Sequence, residues 1–389
     1  MTSWVIAKRE DLTEQQMTKR QSGFSLLELM VSVAILVSVV GVTMKMLLDT
    51  SHANEGITLL ADMTENLRAS MTFMQRDLTQ AGEGLPQSGI PYPQGGSAKA
   101  INWPAAPPAI NQTFPFPAPL PQSTTVLAIA PGDGLGNKVK TVPTDLISMM
   151  YVDNSLVDTN NNTLNTYPIY QNVGAKTCAG SINAAATTVN FDATCINITG
   201  NNGIKAGDLI LFTNSLGYAI QTVTAVSAQA VTFAASDAFN FNGQLATATA
   251  GTMKQLQNGA AGAGGPYPAT TATRVKLLTY YIDATTNSAL PQLIRRVNFN
   301  TAYPVGQGIE DLQITYGIAN SANIGAYGAA GPGNAKYPIT PDTPTNIRTV
   351  NLFVAARSEN TYSQTGQFFR NNMMTTVCVR SLSFVNRYP

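Results

Sequence analysis

An α+β fold, with one long N-terminal helix laid on an antiparallel β-sheet head, is predicted by three observations. An apolar run near the N-terminus continues without proline as far as Pro86. From residue 124 onward, short strand-like runs alternate with Gly, Asn, Pro or Asp. Composition is the third: of 389 residues only 12% are charged, and 31 glycines and 22 prolines accompany frequent Ala, Thr and Asn, the profile of a β-rich, loop-rich exported protein. A chain of this length buries a sizeable core.

The helix comes first. From Phe24 to Leu48 the chain reads FSLLELMVSVAILVSVVGVTMKMLL, with Glu28 the only charge before Lys45. At about 1.5 Å per residue this half covers the roughly 30 Å of bilayer hydrocarbon. Lys19 and Arg20 precede it and only Lys45 stands near its far end, so the positive-inside rule puts the N-terminus in the cytoplasm and the remainder outside. A cleaved secretory signal carries its small-residue cleavage site after the apolar core, whereas Gly23 stands before it. Beyond residue 48, Ile57, Leu60, Met63, Leu67, Met71, Met74, Leu78 and Ala81 recur at helical spacing. They extend the helix over residues 24–82 and supply the stripe that covers one face of the sheet.

Residues 83–123 form a Gly/Pro-rich connecting loop, which Trp103, Phe114 and Phe116 are expected to tuck onto the head. Residues 124–389 make the β-rich head. STTVLAIAP pairs with TDLISMMYV, and RVKLLTYYID, PQLIRRVNF, IEDLQITYGI, IRTVNLFVAAR and MTTVCVRSLSFVNRY supply further antiparallel strands. Between 168 and 262 the composition shifts to Ala, Thr, Asn and Gly, which reads as an inserted β subdomain. Within it Cys178 and Cys195 are expected to form a disulfide contributing about 3 kcal/mol in an oxidising compartment. Cys378 lies in an apolar strand pattern and is expected to be a buried, inert thiol.

Several chemistries are excluded. A formal net charge of +1 provides no basic field for nucleic acid. His52 is the single histidine, so multi-histidine zinc sites cannot be built, and no cysteine lies in a CxxC. His52 itself is expected as a polar residue at the headgroup boundary. The segment DTNNNT at 158–163 spaces Asp158, Asn160 and Asn162 as an EF-hand loop does, but Thr163 replaces the required Gly and Ile169 the bidentate Glu. With DGLGN at 133–137 it reads as an Asx-rich turn rather than a Ca²⁺ site, and no cofactor is expected. Arg295 and Arg296 are expected to pair with Glu310 and Asp311 at a solvated sheet edge. No residue cluster supports catalysis, and the chain is not expected to be an enzyme.

KRQSGFSLLELMVSVAIL resembles the N-terminal signature of type IV prepilins and of type II secretion pseudopilins: a basic leader, Gly at the cleavage position, an aromatic first mature residue and Glu five residues in. The resemblance implies that residues 1–23 are a leader, that a membrane prepilin peptidase cuts after Gly23, and that Phe24 becomes N-methylated. Met17 is read as the true start, because the leader then carries Lys19 and Arg20 undiluted by Glu10, Asp11 and Glu14. A carboxylate in an apolar helix is costly without a cation, and the resemblance supplies one for Glu28, the α-amino group of a neighbouring subunit. The segments MTFMQRDLTQAGEG, LLTYYID with LIRR, GIEDLQITYGI, IRTVNLFVAARSE and TTVCVR resemble, in order, those of PilW-type minor pilins, which are related to the J pseudopilins.

That likeness implies a type IV pilin-like fold and a structural role in a pilus tip or priming complex. The implied partners are prepilin peptidase, other major and minor pilins, the inner-membrane assembly platform and a tip adhesin. The implied location is the bacterial inner membrane, single-pass with a periplasmic head, and then the fibre at the cell surface. A J-like pseudopilin of type II secretion and an adhesive or ligand-binding head are the alternatives.

Overall fold

The computed structural model describes residues 23–87, 89–93, 101–112, 125–155, 167–169, 180–193, 196, 198–199, 203–242, 251–259, 265–300, 302–319, 334–335 and 344–383. Met17, Lys19, Arg20, Phe114, Phe116, the segment 158–163, Cys178 and Cys195 lie outside them.

Helix α1 spans Leu26–Gln80 without interruption. Ser25 opens it, its Oγ accepting the Glu28 N–H at 3.2 Å and satisfying one donor that a helix start leaves unpaired. Past the last turn Gly82 adopts φ +79°, a region that side chains strain to enter, and its N–H donates to the Met150 carbonyl at 2.8 Å.

The chain divides into two compact units, residues 1–58 with Tyr362–Thr365, and the remainder. In the first, the apolar half of α1 is exposed along its whole length, with no residue of its most apolar window buried. Ser32, Ser38 and Thr50 donate back to the carbonyls of Glu28, Ala34 and Met46 at 2.7, 2.8 and 2.8 Å, so these hydroxyls are satisfied within the helix. His52 does more than stand at a boundary: its Nδ1 lies 2.8 Å from Ser363 Oγ and its ring meets Tyr362 edge-on. Ser363 Oγ also donates to Glu55, whose carboxyl is held below the usual range chiefly by that bond.

In the second unit, the 14-residue strand β9 is the spine of an eight-stranded antiparallel sheet. In chain order the labelled strands are β1 (Ile129–Gly132), β2 (Leu146–Val152), β3 (Ser181–Ile182), β4 (Thr188–Asn190), β5 (Leu209–Asn214), β6 (Gly217–Thr222), β7 (Ala225–Ser227), β8 (Ala230–Thr232), β9 (Thr270–Asp283), β10 (Gln292–Val297), β11 (Ala302–Gln307), β12 (Ile309–Ile318), β13 (Ile347–Arg357) and β14 (Arg370–Cys378). The spine pairs with β5 and β10, and with β2 and Tyr167–Ile169. A second sheet has the order Asn334–Ala335, β12, β13, β14. A third, small sheet joins β3, β4, β8 and β7.

Even-numbered Leu278, Tyr280 and Ile282 of β9 join the core beneath α1, while odd-numbered Val275, Leu277 and Tyr281 join a second core with Trp103, Phe239 and Phe241. Both faces are covered, which is why this strand reads as a continuous apolar run. Within residues 168–262, β5 and β6 belong to the central sheet, and Ile210, Phe212 and Ala219 share a core with Val189 and Val231 of the small sheet and with Phe233 just past β8.

Several expectations need correction. Ile57 and Leu60 are 66% and 42% exposed, so the buried stripe begins at Met63. The Gly/Pro-rich segment carries short ladders, Ile90–Pro91 with Thr125–Val126 and Trp103–Pro104 with Asn111–Gln112. The last apolar run ends its strand at Cys378 and turns into a short helix at Arg380–Ser383. Cys378 is exposed, because its neighbours Val377 and Val379 take the inward positions of the alternation. Glu310 faces Lys140, Arg357 and Arg370 instead of Arg295 or Arg296.

Candidate processing and assembly segment

Gly23, Phe24 and Glu28 lie within one cap and one helical turn. Among the described residues, nothing lies within 4 Å of a Cβ added at Gly23. Phe24 is 78% exposed at the mouth of the helix. Glu28 sits in the first turn, where a negative charge suits the helix dipole, and the Ser25-x-x-Glu28 spacing is that of a capping box. Beyond it Leu29, Met30, Ile35, Leu36 and Val37 are all exposed, an apolar surface too long to stay in water.

The other half of α1 seats the helix on the head. Met63, Leu67, Met71, Met74, Leu78 and Ala81 face Leu312, Ile314, Val350, Leu352 and Val354 in one core. Asp77 is a buried charge on that face, 1% exposed. Its Oδ2 accepts the Tyr280 hydroxyl and the Arg295 Nε–H, both at 2.6 Å. Burial, then the Asp77 charge and the bond to it, drive the Tyr280 phenol well above the tyrosine range; burial lowers Arg295, but its bond to Asp77 together with the charges of Asp77, Tyr280 and Tyr151 raises it. Sequence reasoning missed this lock, although a charge on the predicted apolar stripe is a signal that could have found it. Gly306 of β11 presses on the same helix, where a Cβ would lie 1.9 Å from Ser70 Oγ.

Other polar groups tie the head together. Asp145 accepts the N–H groups of Gly134 and Ile314 at 2.8 and 2.7 Å, so its carboxylate fastens the turn at 133–137 to β12. Among the described residues no group of three His, Cys, Asp or Glu side chains is arranged to hold a metal.

Residues 18–44 match a family model described as the prokaryotic N-terminal methylation motif. The chain carries a type IV prepilin-like N-terminus. The matched stretch includes Gly23, Phe24 and Glu28 and runs into the exposed apolar helix. No curated protein and no solved structure matches the chain. The motif is that of pilins and pseudopilins, whose role is structural, and it implies processing by prepilin peptidase.

Proposed function

We infer that the chain is a minor pilin, cut after Gly23, N-methylated at Phe24 and built into a type IV pilus, in a tip or priming complex of the PilW type. The observation that carries the reading is the conjunction of the methylation motif with an apolar half-helix that no described residue of the chain buries. Before assembly this half anchors the protein in the inner membrane, with the head in the periplasm; afterwards it packs among the helices of neighbouring pilins, on the assembly platform and then in the fibre. Glu28 pairs there with the methylated amine of a neighbour, which offsets the cost of a carboxylate in hydrocarbon and sets the register between subunits. Lys19 and Arg20 hold the leader on the cytoplasmic side. No cofactor enters this function, and the head is not an enzyme.

The test is Glu28→Ala in the native host. The variant is expected to be processed and retained in the membrane, and to be lost from sheared filaments; undiminished recovery in filaments would refute the role given to Glu28. A J-like pseudopilin has the same processing, but deleting its gene abolishes export of folded secreted proteins and leaves piliation intact. An adhesive role for the head would appear as lost surface binding at normal piliation when residues 168–262 are removed.

A further inference from the structure

The C-terminal sheet ends on a long edge. β14 pairs with β13 in an unbroken register from Thr349↔Cys378 to Arg357↔Arg370, and it stands last in the strand order. The Val379 N–H donates to the Arg348 carbonyl at 2.9 Å, which sets the phase of the ladder: odd-numbered residues of β14 bond to β13, and even-numbered ones turn their N–H and C=O groups outward. Asn371 Oδ1 closes the Asn372 N–H at 2.9 Å. Among the described residues no acceptor closes the outward N–H groups of Met374 and Thr376, and the Met374 side chain is 73% exposed.

Natural sheets blunt such edges with short strands, proline, bulges or charge. This protein does so elsewhere. Among the described residues the opposite edge of the same sheet is Asn334–Ala335, the small sheet ends on two- and three-residue strands, and β11 carries Pro304 and a register shift against β10. The β6 edge is covered, with Gln255 Nε2 donating to the Tyr218 carbonyl. β14 has nine residues, no proline, no register shift, and no charge from Asn371 to Val379.

We propose that β14 receives an extended segment of a different protein as an added strand, uncharged along its middle and bearing a carboxylate at its ends. Charge argues for the carboxylates. At one end Lys140, Arg357 and Arg370 share the single carboxylate of Glu310, at 3.3, 3.3 and 2.9 Å, and beyond the other end stands exposed Arg380. A second copy of this chain does not fit. Two identical edges pair antiparallel about a dyad normal to the sheet, which reverses the helix lying on it, whereas chains anchored by α1 in one membrane point the same way. This last step rests on the membrane-anchored reading; the strand addition does not.

The experiment titrates the full chain in detergent micelles, by isothermal calorimetry, with the peptide acetyl-Glu-Thr-Val-Thr-Val-Thr-Val-Thr-Glu-amide. Saturable binding is expected, with slowed amide exchange confined to the segment 370–378. Met374→Pro, which removes an outward N–H and no bond to β13, weakens binding by about tenfold or more, whereas Met374→Ala stays within about twofold. Replacing both terminal Glu residues of the peptide with Lys weakens it about fivefold. A peptide N-methylated at alternate residues no longer binds the unaltered protein, which keeps the test independent of how Met374→Pro folds. No saturable binding, binding indifferent to N-methylation, or protection of 370–378 that tracks self-association of the chain would overturn the proposal. None of these readouts involves processing at Gly23, so they fail or succeed separately from the pilin reading.

Discussion

Removing the Asp77 carboxylate tests how the helix is held on the head. The group is 1% exposed and accepts two bonds of 2.6 Å, from Tyr280 and Arg295. Arg76 also approaches it at 3.4 Å, but that side chain is mostly solvated and adds little. Asp77→Ala strands a guanidinium that is only 20% exposed beside a phenol that is fully buried. Breaking one half of a buried pair costs about 3–5 kcal/mol, and the partial exposure of Arg295 places this case near 3. Replacing all three groups, Asp77→Leu with Arg295→Met and Tyr280→Phe, leaves no unpaired polar atom and is expected to fall within about 1 kcal/mol of the unaltered protein. The assay is guanidinium unfolding in detergent, followed by fluorescence of buried Trp103. An Asp77→Ala cost below about 0.5 kcal/mol, or a triple variant as unstable as the single one, would refute the reasoning.

Other expectations follow from the same packing. Leu67→Ala should cost about 2–5 kcal/mol by emptying the helix–sheet core, while Ile57→Ala, at an exposed position, stays within about 0.5, as paired melts would show. Gly306→Ala should destabilise the head by about 1–3 kcal/mol, and adding Ser70→Ala should recover part of that loss, since Ser70 Oγ is the atom the new methyl meets. The Tyr280 phenol is raised in the folded protein, so the stability tied to it is complete below about pH 10, where the unfolded tyrosine titrates, and declines as pH rises toward the folded value. Tyr280→Phe should therefore flatten the alkaline fall in stability; an unchanged slope would count against it.

The helix and most strands were legible because their signals are local. Sixteen uncharged residues in a row and a stripe at helical spacing need no tertiary information. The N-terminal motif was legible for the same reason, since it lies within one short stretch, residues 18–44. The partner of Arg295 was not: Asp77 is 218 positions away, and only the seating of α1 on β9 and β10 brings the two together. Ile57 and Leu60 misled because an apolar period can continue beyond the sheet that buries it. Cys378 was misplaced because an apolar neighbourhood was weighed above the two-residue period of a strand. The membership of β5 and β6 in the central sheet was hidden as well, since strand order is a property of pairing, which composition does not encode.

Mass spectrometry of the N-terminal peptide, taken from native membranes and from sheared surface filaments, tests the central claim most directly. A peptide beginning at methylated Phe24 is expected in both fractions. A peptide that keeps residues before Gly23, or one cut downstream of the apolar run, would contradict it.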